Sequence, residues 1–303
     1  MFTEVFDRAR KFIYRNARPL DFALWKYHFE DGAQDGVLSA LEAYQNADGG
    51  FAYAIEPDCW NVNSNPIGVW AAIGKLNRIG FCDGAHPLIA GILKYLDSGK
   101  DFADGKWYNT VESNNGYPHA VWWHCRSDKG VPSDNPTVSL AGFALKYADK
   151  SSSLYKKADE IIESSVKRFI LNPVTEMHTL RCYMELYEYC LSAHTDAVDV
   201  TAFKSALFDA IKQTICTDEN KWATEYVCKP SAFFDKSQLI FEIADRSLCK
   251  KEAELIASSQ QKDGSFPVTW QWYNDYKEFE ISKNWWQSSI IIDNLLFLKA
   301  LQV

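Results

Sequence analysis

No two of the eight cysteines in this 303-residue chain stand at C-x-x-C spacing. They lie at Cys59, Cys82, Cys125, Cys182, Cys190, Cys216, Cys228 and Cys249. That spread excludes zinc-ribbon and thioredoxin-type sites and is read as buried thiols in a reducing, cytoplasmic compartment. No apolar run approaches the roughly 20 residues of a membrane span. The N-terminal MFTEVFDRARKF carries an acid or a base every few residues and has no apolar stretch of the kind a secretion signal needs. Strand-like alternation is scarce, and nothing rich in Pro, Gly or Ser divides the chain, so one domain over 1–303 is expected. Positive charge is also in short supply. With 32 Lys and Arg against 40 Asp and Glu, the net charge of −8 makes nucleic acid and anionic membranes poor partners.

What the chain does have is helix-period patterning, on a hydrophobic content of 47%. The pattern predicts twelve helices, over 2–16, 20–30, 34–46, 66–80, 86–98, 136–149, 151–170, 173–194, 197–216, 231–246, 247–261 and 285–302. Three of them are expected to open on the same pair, Asn65-Pro66, Asn135-Pro136 and Asn172-Pro173. In that pair Asn caps first-turn amides, and Pro gives up an N–H that had no partner. A second motif recurs at identical spacing: Gln45, Asp48, Gly49 and Phe51 match Gln260, Asp263, Gly264 and Phe266. Asp104-Gly105-Lys106-Trp107 reads as a partial copy and Asp218 to Trp222 as a decayed one. Such self-similarity implies repeated helix pairs. Twelve helices make six pairs of about 50 residues, and closing them predicts an all-α (α/α)6 toroid. Helices 34–46, 86–98 and 247–261, which precede or flank the Asp-Gly turns, would then be outer. Those at 20–30, 66–80, 136–149, 173–194, 231–246 and 285–302 would be inner.

The Q-x-x-D-G-x-[FW] pattern resembles the QW-type repeat of the terpenoid cyclase and protein prenyltransferase toroids. In that family the glutamine caps an outer helix and the aromatic packs on it, roles that would fall to Gln45 with Phe51 and Gln260 with Phe266. The stretches DGGFAYAIEPD and YPHAVWWH are also similar to segments of bacterial toroid proteins without an assigned activity. The family's catalytic signatures are missing. There is no Asp-x-Asp-Asp run, the nearest being Ser133-Asp134-Asn135-Pro136-Thr137 with one acid. Asp58 and Cys59 are adjacent rather than in the Asp-x-Cys spacing of the zinc prenyltransferases, and no Asp-Asp-x-x-Asp site occurs. The resemblance therefore implies a fold more than a chemistry.

In a ring of this kind the long loops, 51–65, 99–135, 217–230 and 262–284, would share one face. They hold Trp60, Trp107, Trp122, Trp123, Trp222, Trp270 and Trp272, seven of eleven tryptophans. Such a concentration either packs loops together or lines a cavity. Trp60, Trp122, Trp123, Trp270, Trp272 and Trp285 are candidate substrate-binding residues, with His124 beside them. Glu56 and Asp58 lie in a loop without Lys or Arg and are candidate catalytic acid and base, or else caps for loop amides. Pro57 between them favours extended backbone, which would set them on opposite sides. His119 is the third catalytic candidate, for proton transfer or a ligand hydrogen bond, against a role as a buried loop histidine. No clustered Cys/His set supports a metal site, so the cofactor is left open. Two enzyme readings compete: an apolar, isoprenoid-like ligand in an aromatic-lined central cavity, or a glycan-active enzyme using Trp, Asn and paired carboxylates. A non-catalytic binding toroid is the third reading. Oligomeric state is not readable from these patterns.

Overall fold

Two glutamines, 215 positions apart in the chain, make the same hydrogen bonds, and much of the local fold can be built from them. In the computed structural model, which describes residues 2–222 and 224–302, Gln45 Nε2 donates to Gly49 O at 3.0 Å and to Leu88 O at 3.3 Å. Gln260 Nε2 donates to Gly264 O at 3.0 Å and to Val5 O at 2.8 Å. Each amide thus closes its own turn and reaches a carbonyl near the start of a neighbouring helix. Both glycines have positive φ, 91° at Gly49 and 98° at Gly264, which a side chain would strain. A Cβ at Gly49 would sit 2.0 Å from Gly91 O, and one at Gly264 would sit 2.2 Å from Arg8 O. The acids repeat as well: Asp48 Oδ1 accepts from Gly50 N, and Asp263 Oδ1 from Ser265 N. Phe51 and Phe266 are fully buried.

Twelve α-helices lie among the described residues: α1 (Phe2–Asn16), α2 (Pro19–Phe29), α3 (Gln34–Glu42), α4 (Pro66–Arg78), α5 (Pro87–Asp97), α6 (Asp134–Tyr147), α7 (Ser153–Leu171), α8 (Met177–Ala193), α9 (Val200–Thr214), α10 (Ile240–Ile243), α11 (Arg246–Ser259) and α12 (Phe279–Leu301). A small antiparallel sheet joins them, β1 (Phe102–Ala103), β2 (Lys106–Val111) and β3 (Gly130–Pro132), in the order β1-β2-β3. None of the described helices is long and apolar enough to cross a membrane. The chain divides into two compact units, one of Met1–Ala43 with Ile215–Val303 and one of Tyr44–Thr214.

In the first unit α12 packs on α1, α2 and α11. Ile291, Ile292, Leu295 and Leu298 of α12 are buried, as are Phe12, Leu20, Leu24 and Trp25 of α1 and α2. The Gln260 staple seats on α1. Glu30, just past α2, gathers four donors: Arg10 Nε, Tyr14 OH, Trp25 Nε1 and Lys26 Nζ, all within 3.0 Å. In the second unit α6 is the central rod. All ten residues from Pro136 to Leu145 are buried, so the helix is apolar on every side, as a surrounded helix must be. It packs against α4, α5, α7, α8 and β2. Gly142 lets α8 come close, since a Cβ there would meet Tyr189 Cδ2 at 2.6 Å. The Gln45 staple seats on α5.

Four sequence expectations need correction. The helix expected over 231–246 is replaced by one 3-10 turn, Pro230–Phe233, and the four-residue α10. Asp235 Oδ1 takes the amides of Ser237 and Gln238 and the Ser237 hydroxyl, a local turn that competes with helix, and Gln238 has φ 57°. The Asn172-Pro173 pair starts no helix. Asn172 ends α7, and α8 begins at Met177, where the Glu176 carboxylate caps the amides of His178 and Thr179. At Asn135-Pro136 the cap is Ser133, whose hydroxyl accepts from Asn135 N, and the Asn135–Pro136 peptide is cis. Only Asn65 caps as expected, accepting from Gly68 N at 2.8 Å. Asp104 and Gly105, read as a partial repeat, instead form the two-residue turn of the β1–β2 hairpin, both with positive φ.

Gln260→Ala removes two buried-end hydrogen bonds and should lower stability by about 1–3 kcal/mol, read as a shift in urea midpoint at unchanged m; Gln45→Ala should do the same. Burial alone would raise the Glu30 pKa, but its hydrogen bonds from Lys26, Trp25, Tyr14 and Arg10 outweigh that and bring it down to about 2. A carboxylate held down in this way stabilises the fold above its ordinary pKa, and that stability is lost as pH falls through the folded value. Glu30→Gln should therefore flatten the fall in stability between pH 4.5 and 2, measured by denaturation at each pH.

Candidate functional site

Seven of the ten sequence candidates lie on two loop segments that meet in the second unit. The loop that leaves the Gln45 staple passes Tyr53 and Ala54, both with left-handed φ of 59° and 55°. Two such residues in succession strain the backbone by about 1–2 kcal/mol each, and they are held there by Tyr53 N donating to Asn61 O at 3.0 Å. The chain then turns at Glu56-Pro57-Asp58. Glu56 Oε2 accepts from Asp58 N at 2.9 Å, so the Glu56 carboxylate folds over Pro57 towards the following residue. Asp58, only 2% exposed, accepts at its carbonyl from Ala120 N, and Trp60 N donates to Pro118 O, each at 2.9 Å. Cys59 and His119 thus face each other across an antiparallel bridge. The loop of Glu56, Asp58 and Trp60 is in this way pinned to the segment that carries His119 and His124.

His119 is 4% exposed. Its Nδ1 lies 2.6 Å from Tyr117 O and its Nε2 lies 3.1 Å from His124 Nδ1; the two ring planes are within 11° of parallel, with centroids 5.4 Å apart, so the rings meet edge to edge. His124 is exposed. Trp122 is 39% exposed beside it, and Trp123 carries a buried Nε1 with no hydrogen-bond partner. Near Glu56 a cavity with room for about one water is lined by Ala52, Ala54, Ile55, Glu56, Cys59, Asn65 and Gly68.

The asparagines of these loops serve as brackets. Asn61 Nδ2 donates to Ser113 Oγ and Asn114 Oδ1, both at 2.9 Å, and Asn114 Nδ2 donates to Trp123 O at 2.9 Å. Asn115 exchanges two bonds with the Cys125 backbone. Asn61 and Asn114 are 1% and 3% exposed, so their amides hold the loops together. Burial pushes the Cys59 thiol up to about 12, with Glu56 and Asp58 adding to the rise, which makes it a poor nucleophile.

Trp270, Trp272 and Trp285 belong to the first unit. Trp270 stands edge-on to Trp286 at 5.3 Å and to Tyr226 at 6.4 Å. Trp272 is 1% exposed and packs against Tyr276 and Phe279. Trp285, inside α12, lies under the Arg18 guanidinium at 5.1 Å. Arg18 is in turn paired with buried Asp21 at 2.7 Å.

Two polar groupings escaped the sequence reading. Trp70 of α4 and Ser139 of α6 both donate to Glu185 Oε2 of α8, at 2.8 and 2.5 Å. The sequence signal for it is the acids Glu185 and Glu188 inside the otherwise apolar YMELYEYC. Asp134, singled out as the lone acid of its stretch, is ringed by Lys106 at 2.8 Å, Arg168 at 3.0 Å and Tyr183 OH at 3.0 Å. Burial pushes its pKa up, but Lys106, Arg168 and the Tyr183 hydroxyl outweigh this and hold it below the ordinary value. A carboxylate so held stays ionised and is a poor proton donor. Among the described residues no group of three or more His, Cys, Asp or Glu could hold a metal ion.

The chain matches no protein-family model, no curated protein and no solved structure.

Asn114→Ala removes the amide that joins Asn61 to the Trp123 carbonyl. It should lower stability by about 1–3 kcal/mol and speed amide hydrogen exchange over residues 58–63 and 118–125, with α6 unaffected.

Proposed function

We propose that this chain is an α/α toroid of the terpenoid cyclase and prenyltransferase kind that binds an apolar, isoprenoid-like small molecule against aromatic side chains. The observation that carries the reading is the pair of staples. Gln45 and Gln260 make the same two bonds, around glycines of closely similar positive φ, against the first turns of α5 and α1. A repeated helix-end device of that detail is what a ring of helix pairs would use. Aromatic faces suit such a ligand, because ring quadrupoles stabilise positive charge developing on a hydrocarbon. Initiation by protonation from Asp134 does not belong to the proposal, since Lys106 and Arg168 keep that group ionised. Glu56, Asp58 and His119 are its candidate acid–base residues, and Trp60, Trp122, Trp123 and His124, in the same unit, its candidate binding residues.

One observation favours the glycan reading. Tyr226, Tyr273 and Tyr276 are 58%, 66% and 37% exposed, and Tyr226 meets Trp270 edge-on. Exposed rings of this kind can stack on sugar faces.

Thermal melting separates the two. Farnesyl diphosphate at about a hundredfold excess over its Kd should raise Tm by about 4 °C, with no rise from inorganic diphosphate or from oligosaccharides. A rise with an oligosaccharide and none with farnesyl diphosphate overturns the isoprenoid reading in favour of the glycan one. Asp58→Asn should then weaken turnover if Asp58 is an acid–base group, and leave it intact if the residue only holds its loop.

A further inference from the structure

The His119–His124 pair has a protonation pattern that its geometry dictates. Tyr117 O is a carbonyl and can only accept, so His119 Nδ1, at 2.6 Å from it, carries a proton. In a neutral His119 the other nitrogen, Nε2, is then a lone pair. The atom facing it at 3.1 Å is His124 Nδ1, which must supply the hydrogen if that bond is to form. A neutral His124 with its proton on Nδ1 has its lone pair on Nε2, across an exposed ring.

We infer that His124 Nε2 is a fixed proton acceptor, held in that tautomer by His119, and that it accepts a proton or a hydrogen bond from an O–H or N–H group of a small-molecule ligand. His119, buried, is the positioning residue and His124, exposed, the one that touches ligand. The pair also forms a relay. A proton arriving at His124 Nε2 lets the proton on His124 Nδ1 cross the 3.1 Å gap to His119 Nε2. Once it has crossed, His124 is neutral again and His119 keeps its Nδ1–H on Tyr117 O. The pair takes up one proton in this way; a second would set N–H against N–H across the gap.

The backbone is built to keep the two rings in place. The Cys59–His119 bridge, with Trp60 N on Pro118 O and Ala120 N on Asp58 O, fixes the segment on both sides of His119. Asn114 and Asn115 hold the carbonyls of Trp123 and Cys125, the residues flanking His124. The inference does not rest on the isoprenoid reading, because the tautomer is a property of the protein without ligand.

The test is the 15N spectrum of the two imidazoles in the ligand-free protein at about pH 9, well above the ordinary imidazole range near 6.5. Both rings should show a protonated Nδ1 and a lone-pair Nε2. In His119→Phe, His124 should shift towards the Nε2–H form that free imidazole side chains favour, and its modification by diethylpyrocarbonate should slow several-fold. A native His124 with its proton on Nε2 overturns the inference, as does a His124 tautomer unchanged by His119→Phe. The native spectrum decides even if that variant fails to fold.

Discussion

The constraint on which this structure depends is the close approach of a turn to a neighbouring helix, secured by one glutamine. A positive φ at Gly49 or Gly264 brings backbone within reach of the next helix's carbonyls. Only a residue without Cβ can stand there, and the glutamine amide then satisfies one carbonyl of the turn and one of the helix. Backbone carbonyls buried without a partner would each be unfavourable by about 1–3 kcal/mol. The staple therefore permits tight seating that bare packing would not. Phe51 and Phe266 fill the space behind it.

Within the second unit the same logic extends from the staple to the site. Gln45 sets the turn on α5, Asp48 holds Ser64 at 2.6 Å, and Asn65 caps α4. Both ends of loop 51–65 are thus anchored before the loop begins its irregular course. The strained Tyr53 and Ala54 lie between those anchors, and strain of that kind persists only where the surroundings over-determine it. On the other side, β2 is tied to α6: Thr137 Oγ1 donates to Trp107 O and Asn109 Nδ2 to Asn135 O. The two segments that meet at the Cys59–His119 bridge are each carried by a helix rooted in the core.

How much of this was legible in the sequence differs from element to element, for physical reasons. Eleven helices were visible, most because each buries one face and so shows a period, and α6 because its apolar run is long enough to be a surrounded helix. The staples were visible because Gln, Asp, Gly and Phe each have one task at one spacing. The expected helix at 231–246 failed because Asp235 satisfies the local amides itself, and a side chain's competition with the backbone leaves no trace in periodicity. Asn172 and Asn135 were misread because Asn-Pro is only one way to start a helix; Glu176 and Ser133 supply the caps instead. At the candidate site, Glu56, Asp58, Trp60, His119 and His124 were named from composition, and the structure does bring their segments together. The roles of Asn61 and Asn114 were not legible. An amide that braces a loop and one that would meet a sugar look the same until their partners are known. Glu185 was missed because its partners, Trp70 and Ser139, come from helices far away in the chain.

Bracing and exposure are divided unevenly over the candidate site. Asp58, Cys59, Asn61, Asn114 and His119 are all buried, and their hydrogen bonds run to other parts of the protein. Trp122 and His124 are exposed on the same short segment. A buried, hydrogen-bonded frame beneath a few exposed functional groups is the arrangement that lowers the ordering penalty on ligand binding. Asp58 is buried and Glu56 half-buried, and the Asp58 amide holds the Glu56 carboxylate against its own loop. Glu56 and Asp58 drew notice as a pair of carboxylates, yet their positions in the frame matter through the segment they pin. That segment carries the one imidazole of the site whose ring reaches solvent.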